Sequence, residues 1–306
     1  MDASSSTSAG NNPASAARSR PGLSATTPTF ELAAGSVTGS RHRAVGKNNQ
    51  DAWAIRCDRA SDSTLRTAIA VVCDGCSSGQ HSEVGAQFGA HTVATTIKQC
   101  LQDCPGKTPW RETSFWRRVE RNVLGQLQSV ATAMGGLAAS WVTDYFLFTV
   151  VGALVVETEV LAFSLGDGAL FINGRPLPLG PFANNAPPYL AYRLLNPNLA
   201  EITALQFQLH GPWPIAEVES LLIGTDGVLD FVKLAARSQP GKTEPIGPIS
   251  QFWQDNCYFH NTDAVRRKLT TINREVTKPD WSAQRLVRQS GLLPDDTTLV
   301  VLRHRL

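Results

Sequence analysis

The sequence predicts an α+β fold, with antiparallel β-sheet inside and helices on the outer faces. Runs rich in Val, Ile, Leu, Phe and Thr alternate with longer segments of helical periodicity. Several apolar runs are separated by very short connections, which favour antiparallel pairing of strands. The long helical segments are then expected to cover the sheet faces, because those faces carry apolar side chains.

The expected strands are short and bounded by turn residues. They cover residues 68–73, 146–156, 160–165, 169–172, 220–223 and 298–302. The segment VVETEV joins two of these strands, and GDG followed by ALFING suggests another hairpin. The expected helices cover residues 82–100, 113–134, 228–237 and 264–274, with a further helix at 283–290.

The composition is that of a globular protein with a large core. Hydrophobic residues make up 42% of the 306 residues, and charged residues make up 18%. The formal net charge is only +2, so the charge balance does not indicate nucleic acid or a membrane surface as a partner. No apolar run is long enough for a membrane span. The partner must therefore be inferred from a site.

The six cysteines are scattered through the chain and are not dense enough for a disulfide scaffold. Because no secretory signal precedes them, we expect reduced thiols in a cytoplasmic protein. Cys73 and Cys76 form a C-x-x-C pair, but a zinc ribbon requires a second pair at suitable spacing. We therefore interpret these two residues as ordinary cysteines.

Residues 1–29 are expected to form a disordered tail, and residues 30–306 a single domain. The tail is rich in Ser, Ala, Gly, Asn and Pro, so it cannot bury enough apolar surface to repay the entropy of ordering. A targeting peptide is the alternative, because Arg18 and Arg20 lie among serines. No amphipathic arginine pattern supports that alternative.

Five segments place a carboxylate at the end of an expected strand. They contain Asp51 in NNQDA, Asp74 in VCDGC, Asp167 in SLGDG, Asp226 in GTDGV, and Asp295 with Asp296 in DDTT. In three of them glycine follows at once, which lets the backbone turn sharply and lets its carbonyl approach a cation. A single Asp-Gly pair usually marks only a turn. Five acids in one context indicate a site for Mg²⁺ or Mn²⁺, which prefer oxygen ligands.

The ordered series NNQDA, VCDGCSSG, SLGDG, GTDGVLD and DDTTLVV resembles the metal-dependent protein phosphatases, the type 2C serine/threonine family, and especially their bacterial branch. The resemblance extends over about residues 30–303. It implies a four-layer αββα sandwich, in which helices flank two antiparallel sheets. It also implies a centre of two Mn²⁺ or Mg²⁺ ions at one end of the sandwich, where phosphate monoesters are hydrolysed by a metal-activated water.

The resemblance also implies roles for individual residues. Asp74 would bridge the two metals, and the Gly75 carbonyl would bind one of them. Asp226 and Asp295 would complete the other site. The remaining positions are Asp51 with Gln50 beside the metals, and Asp167 with Asp230 at a third, weaker metal.

The phosphate anchor departs from the family pattern. Many relatives carry an arginine a few residues before the first acidic motif, where GSRHRAVGKNNQD has Gly46 and Lys47. Arg43 is our first choice for the anchor, because a guanidinium binds phosphate with two parallel hydrogen bonds. The other candidates are Arg41, Lys47 and His42, the last as a phosphate contact or proton donor. The alternative is that these side chains form only a solvated loop.

Two further departures concern acid and base groups. Gln50 stands where many relatives have glutamate, although its amide oxygen can still accept a hydrogen bond. Cys76 stands where some relatives have a histidine suited to protonating the leaving group, so we expect a preference for aryl phosphates. A cysteine phosphatase is excluded because position 82, where the C-x5-R loop requires arginine, is serine.

The resemblance implies a monomeric phosphatase that acts on phosphoserine and phosphothreonine in proteins, with a serine/threonine kinase as a regulatory partner. Regions 174–214 and 239–261 are candidates for a flap over the substrate, or for surface loops without a binding role. The alternative function is that of a pseudophosphatase, which binds a phosphoprotein or regulator without turnover.

Overall fold

The computed structural model describes Met1 and residues 30–59, 65–104, 108–156 and 158–304. The expected tail at residues 1–29 lies, apart from Met1, outside the described residues. Within them, no helix is long and apolar enough to cross a membrane.

The strands are numbered in chain order. They are β1 (Phe30–Val37), β2 (Asp51–Arg59), β3 (Leu65–Gly75), β4 (Phe148–Val155), β5 (Glu159–Leu165), β6 (Ala169–Ile172), β7 (Arg175–Pro176), β8 (Gln208–Pro214), β9 (Ser220–Gly224), β10 (Val276–Asp280), β11 (Arg285–Gln289) and β12 (Thr297–His304).

The α-helices range from one turn to six. They are α1 (Ser40–Ala44), α2 (Ser82–Asp103), α3 (Thr113–Ala133), α4 (Ala139–Tyr145), α5 (Tyr192–Leu195), α6 (Gly227–Lys233), α7 (Gln251–Gln254), α8 (Cys257–His260) and α9 (Ala264–Ile272).

Two five-stranded antiparallel sheets form the centre of the molecule. One has the order β1-β12-β9-β6-β7, and the other has the order β2-β3-β4-β5-β8. Each residue along a strand points to the opposite face from its neighbour. On β3, Ala70 and Val72 therefore pack between the sheets, whereas Val71 and Cys73 pack against helices.

Helices cover both outer faces. Helices α2 and α3 bury apolar side chains against the β2-β3-β4-β5-β8 sheet. Helices α6, α7, α8 and α9 pack on the outer face of the other sheet. The four layers αββα are therefore confirmed, and each sheet contributes side chains to two separate apolar clusters.

The sheets show where the hairpin expected near GDG lies. The GDG segment does not form a hairpin, because β5 and β6 belong to different sheets. The hairpin lies one strand later and joins β6 to β7 at Asn173 and Gly174, both of which have positive φ. Positive φ at both central residues is the geometry of a tight hairpin turn. GDG therefore carries the chain from one sheet to the other.

Two expected helices are wrong in part or entirely. Residues 283–290 belong to the hairpin of β10 and β11, in which all five residues of β11 are exposed. A pattern of mixed polar and apolar residues could not decide between helix and strand in such an exposed segment. The helix expected at 228–237 ends at Lys233, after which Arg237 accepts a backbone hydrogen bond from Ile246.

Candidate active site

The sandwich brings the strand-end acids to one edge. Asp51 begins β2 and pairs in register with Asp74 near the end of β3. Asp226 follows β9, and Asp295 precedes β12, which is paired with β9. Antiparallel strands that are adjacent in a sheet place the start of one beside the end of the next. Acids far apart in sequence therefore converge.

A cavity of about 350 Å³ lies at this edge. Four of the predicted acids line it: Asp74, Asp167, Asp226 and Asp295. Gly75 lines it as well. The remaining lining residues are His42, Gln50, Cys76, Ser77, Ser78, Leu147, Thr149, Ala186, Pro187, Tyr189 and Tyr192.

The acids raise one another's pKa values. Burial raises the pKa of Asp74 well above its usual range, and the charges of Asp51, Asp226 and Asp295 raise it further. Burial and the charges of Asp167 and Asp295 raise the pKa of Asp226 to about 6. The cluster is thus a site of negative charge that a cation would stabilise.

Two buried oxygen atoms at the site have no hydrogen-bond partner among the described residues. They are Asp51 Oδ1 and Gln50 Oε1. The other end of each side chain is held in place, because Thr225 Oγ1 donates to Asp51 Oδ2 at 2.7 Å, and Gln50 Nε2 donates to Ser82 Oγ at 2.6 Å. Burying such an acceptor is costly unless a ligand, ion or water satisfies it. The donor set therefore fits a divalent cation with its water.

Glycine is required where the backbone meets this site. A Cβ added to Gly75 would lie 2.7 Å from the Ser82 carbonyl oxygen and 2.9 Å from that of Gln50. A Cβ on Gly227 would lie 2.0 Å from the Asp296 carbonyl oxygen. The Asp-Gly pairs therefore serve close backbone packing at the acids, in addition to the sharp turn expected from the sequence.

Of the predicted basic anchors, His42 lines the cavity but Arg43 does not. The Arg43 guanidinium donates to the Asn273 carbonyl and lines a separate cavity beside Glu275 and Arg288. Successive residues of a helix point about 100° apart, so α1 directs these neighbours to different sides. Our first choice for the phosphate anchor is therefore directed away from the acids in this structure.

The other two basic candidates are exposed. Lys47 Nζ donates to the carbonyl of Ser77 at 2.8 Å, and Ser77 lines the active-site cavity. Arg41 is exposed and does not line the cavity. Lys47 is therefore the candidate cation whose charge lies at the cavity rim.

The structure separates Asp230 from the other acids. Asp230 lies on α6 with an ion pair to Lys233 at 2.8 Å, and it does not line the cavity. Its charge nevertheless helps to raise the pKa of Asp226. Asp167, its expected partner at a third metal, lies in the cavity wall.

The region 174–214 supplies part of the cavity wall through Tyr189 and Tyr192. Arg193, the next residue on α5, forms an ion pair with Glu120 at 2.7 Å and so ties this region to α3. The region 239–261 instead buries Phe252 and Tyr258 against the opposite sheet. Only the first of the two flap candidates reaches the cavity.

Asp296 is a site residue to which sequence reasoning assigned no role. Its side chain is only 2% exposed, and its two oxygens accept hydrogen bonds from the backbone of Gly39 at 2.6 Å and of Gln50 at 2.5 Å. It thereby joins the segments before β2 and β12. The doublet DD in the last motif could have indicated this role. Adjacent residues at the start of a strand point to opposite sides, so only one of the two acids can face the cavity.

Comparisons with known proteins agree with this architecture. The Protein phosphatase 2C family profile matches residues 38–272. A bacterial serine phosphatase is 15% identical, with a TM-score of 0.51 over 90% of this chain and 98% of that chain. The serine-threonine phosphatase 2C from Toxoplasma gondii is 13% identical, with a TM-score of 0.52 over 92% of this chain and 96% of that chain. A search of curated proteins finds no match. At these identities the structural likeness shows a shared fold.

Proposed function

We propose, from the premise that this chain belongs to the protein phosphatase 2C family, that it is a metal-dependent phosphatase acting on phosphoserine and phosphothreonine in proteins. The observation that carries the proposal is the convergence of Asp74, Asp226 and Asp295 in one cavity. These three acids come from three separate segments. Without a cation, their negative charges would repel one another in the shared cavity.

The chain offers ligands for two Mn²⁺ or Mg²⁺ ions. Asp74 would hold both ions, with the Gly75 carbonyl on one, and with Asp226 and Asp295 on the other. When bound, such a pair of ions supplies positive charge for the phosphate and activates water near neutral pH. The resistance of phosphate monoesters to hydrolysis makes both contributions necessary.

The other residues of the site orient water and substrate. Asp51 Oδ1 and Gln50 Oε1 are free acceptors, so they can hold a water molecule by its protons beside Asp74. The thiol of Cys76 lies in the cavity, 3.1 Å from Ser78 Oγ. Burial alone would raise the pKa of Cys76. Hydrogen bonds with Ser78 and Tyr189 outweigh that effect, so the pKa is lowered. We assign Cys76 no covalent role, because the hydrolysis needs no thiol nucleophile.

Asp167 is proposed to bind a third, weaker metal. Burial raises the pKa of Asp167, which indicates a carboxyl group that would gain from a nearby cation. Asp230 would contribute to that metal only through a change in its ion pair with Lys233. The third metal would then depend on fewer protein ligands than the first two.

Turnover distinguishes the proposed enzyme from the alternative, a pseudophosphatase that binds a phosphoprotein. The test uses p-nitrophenyl phosphate with protein that has been exhaustively chelated and then given Mn²⁺ or Mg²⁺. We expect hydrolysis that requires the added ion. Tight Mn²⁺ binding without hydrolysis would favour the binding module.

We also propose the substrate contact, the regulatory partner, the oligomeric state and the location of the enzyme. Tyr189 and Tyr192 line the cavity on the side of region 174–214, where a protein substrate would make contact. A serine/threonine kinase is the expected regulatory partner, and a monomer the expected state. A cytoplasmic location is also proposed, because the six cysteines lack the density of a disulfide scaffold.

A further inference from the structure

His42 lies between two carboxylates of different exposure. Its Nδ1 is 2.9 Å from Asp296 Oδ2, and its Nε2 is 3.9 Å from Asp295 Oδ1. Asp296 is 2% exposed and lies behind the imidazole, whereas Asp295 is 54% exposed and lines the cavity with His42. One ligand atom from each of the three residues falls within 4.8 Å of the others.

Helix α1 is fixed against the segment that carries the two acids. The backbone N–H groups of Ser40 and Arg41 donate to the carbonyls of Leu293 at 2.8 Å and Pro294 at 3.1 Å. A Cβ on Gly39 would lie 2.4 Å from the Asp295 carbonyl carbon, so the two segments are in direct contact there. The position of His42 relative to Asp295 is thus set by the backbone.

Asp296 is also held rigidly. Each of its oxygens accepts one backbone N–H, from Gly39 and from Gln50. His42 Nδ1 is buried and has no well-aligned hydrogen bond among the described residues, although Asp296 Oδ2 is within reach. A small rotation of the ring would direct its Nδ1–H to Asp296. The lone pair of Nε2 would then be available on the cavity side.

We propose that His42 Nε2 is a ligand of the metal ion that Asp295 binds, with Asp296 as the carboxylate that orients the imidazole. This inference rests on the proposed metal-dependent function. Two atoms bonded to one ion at about 2.1 Å each can lie up to about 4.2 Å apart, and the observed separation of 3.9 Å is within that limit. A carboxylate on the second ring nitrogen is the usual support of a metal-binding histidine.

An imidazole ligand has a consequence for metal choice. Carboxylates, carbonyls and water suit both Mg²⁺ and Mn²⁺. An imidazole nitrogen is a softer donor than these oxygen ligands, so it adds more to the binding of the transition ion Mn²⁺ than to the binding of Mg²⁺. We therefore expect one of the two sites to prefer Mn²⁺ over Mg²⁺ because of His42. Removal of the imidazole should reduce this preference.

The direct test is electron spin-echo envelope modulation of metal-free wild-type protein that has been given two equivalents of Mn²⁺, enough to fill both sites. The result expected is a ¹⁴N coupling of a directly bound imidazole, which disappears in His42→Ala and persists in His91→Ala. His91 is the control because it is exposed and contacts Arg56, remote from the site. Bound Mn²⁺ without nitrogen coupling in the wild type would overturn the inference, and this measurement needs no variant to fold.

Calorimetric titration adds a second measurement. His42→Ala should weaken Mn²⁺ binding at one site by at least about 10-fold, the smallest loss typical of a metal's supporting shell, with a smaller loss for Mg²⁺. Asp296→Asn should weaken Mn²⁺ binding and alter the nitrogen coupling without abolishing it. Unchanged Mn²⁺ affinity in His42→Ala, with a raised KM for phosphopeptide, would overturn the inference and make His42 a phosphate contact.

These outcomes separate the inference from the proposed function. If wild-type protein bound no Mn²⁺ or Mg²⁺ at all, both would fail together. If it bound Mn²⁺ and hydrolysed phosphate without nitrogen coupling, only the role of His42 would fail.

Discussion

Asp226→Asn should make the metal-free protein more stable while it weakens binding of one of the two metal ions. Burial and the charges of Asp167 and Asp295 raise the pKa of Asp226 from 3.8 to about 6. A carboxyl whose pKa is higher in the folded state destabilises that state as the pH rises from about 4 to about 6. The full cost is present above pH 6, and asparagine removes it.

The magnitude follows from the size of the shift. A shift of about two pKa units corresponds to about 3 kcal/mol at 1.36 kcal/mol for each unit. Because the cavity is open to solvent, screening reduces the gain to about 1–2 kcal/mol. For a domain of this size, that gain corresponds to a rise in Tm of about 2–4 °C.

The assay is thermal unfolding in EDTA at pH 7.5 and at lower pH. The gain of Asp226→Asn should be present at pH 7.5 and should shrink as the pH falls from 6 towards 4. Glu217→Gln is the control, since Glu217 is exposed and outside the cavity, and it should not change Tm. An Asp226→Asn protein that is equally or less stable than wild type in EDTA at pH 7.5 would refute the electrostatic reasoning.

The remaining predictions concern the metal bridge, the anchor and α1. Asp74→Asn should reduce kcat with Mn²⁺ by more than about 100-fold, because the residue serves both ions; a loss below tenfold would contradict the bridging role. Lys47→Ala should raise the KM for phosphopeptide several-fold, whereas Arg43→Ala should leave KM unchanged because its guanidinium faces another cavity; the reverse result would restore the anchor expected from the sequence. Gly39→Ala should lower the free energy of unfolding by about 1–3 kcal/mol through overpacking and should weaken Mn²⁺ binding. Gly125→Ala, where nothing lies within 4 Å of the added Cβ, should stabilise α3 by up to about 1 kcal/mol; equal effects of the two glycine variants in chemical denaturation would show that close contact at α1 is unimportant.

The strand-end acids could be predicted because their signal is local. An apolar run followed by Asp and Gly marks a strand that ends at a turn, as at Asp74 and Asp226. The pairing of strands follows from short connections such as VVETEV, which joins β4 to β5. The two-sheet arrangement came from the resemblance, because local patterns do not say which strands share a sheet.

The sequence does not predict which residues of α1 face the acids. Helix α1 has only five residues, with no residue buried, so it carries no amphipathic pattern. Its orientation depends on backbone contacts with Leu293 and Pro294, about 250 residues away in sequence. These contacts place His42 at the acids and Arg43 at Asn273. The choice of Arg43 used the chemistry of phosphate binding without that geometry.

Hydrolysis of a phosphothreonine peptide by metal-free protein, before and after addition of Mn²⁺, tests the central claim most directly. We predict no phosphate release after chelation, release after Mn²⁺ is restored, and no restoration in Asp74→Asn, whose fold is checked by circular dichroism. Full turnover by exhaustively chelated protein, or wild-type rates for Asp74→Asn, would contradict a metal-dependent phosphatase at this cavity.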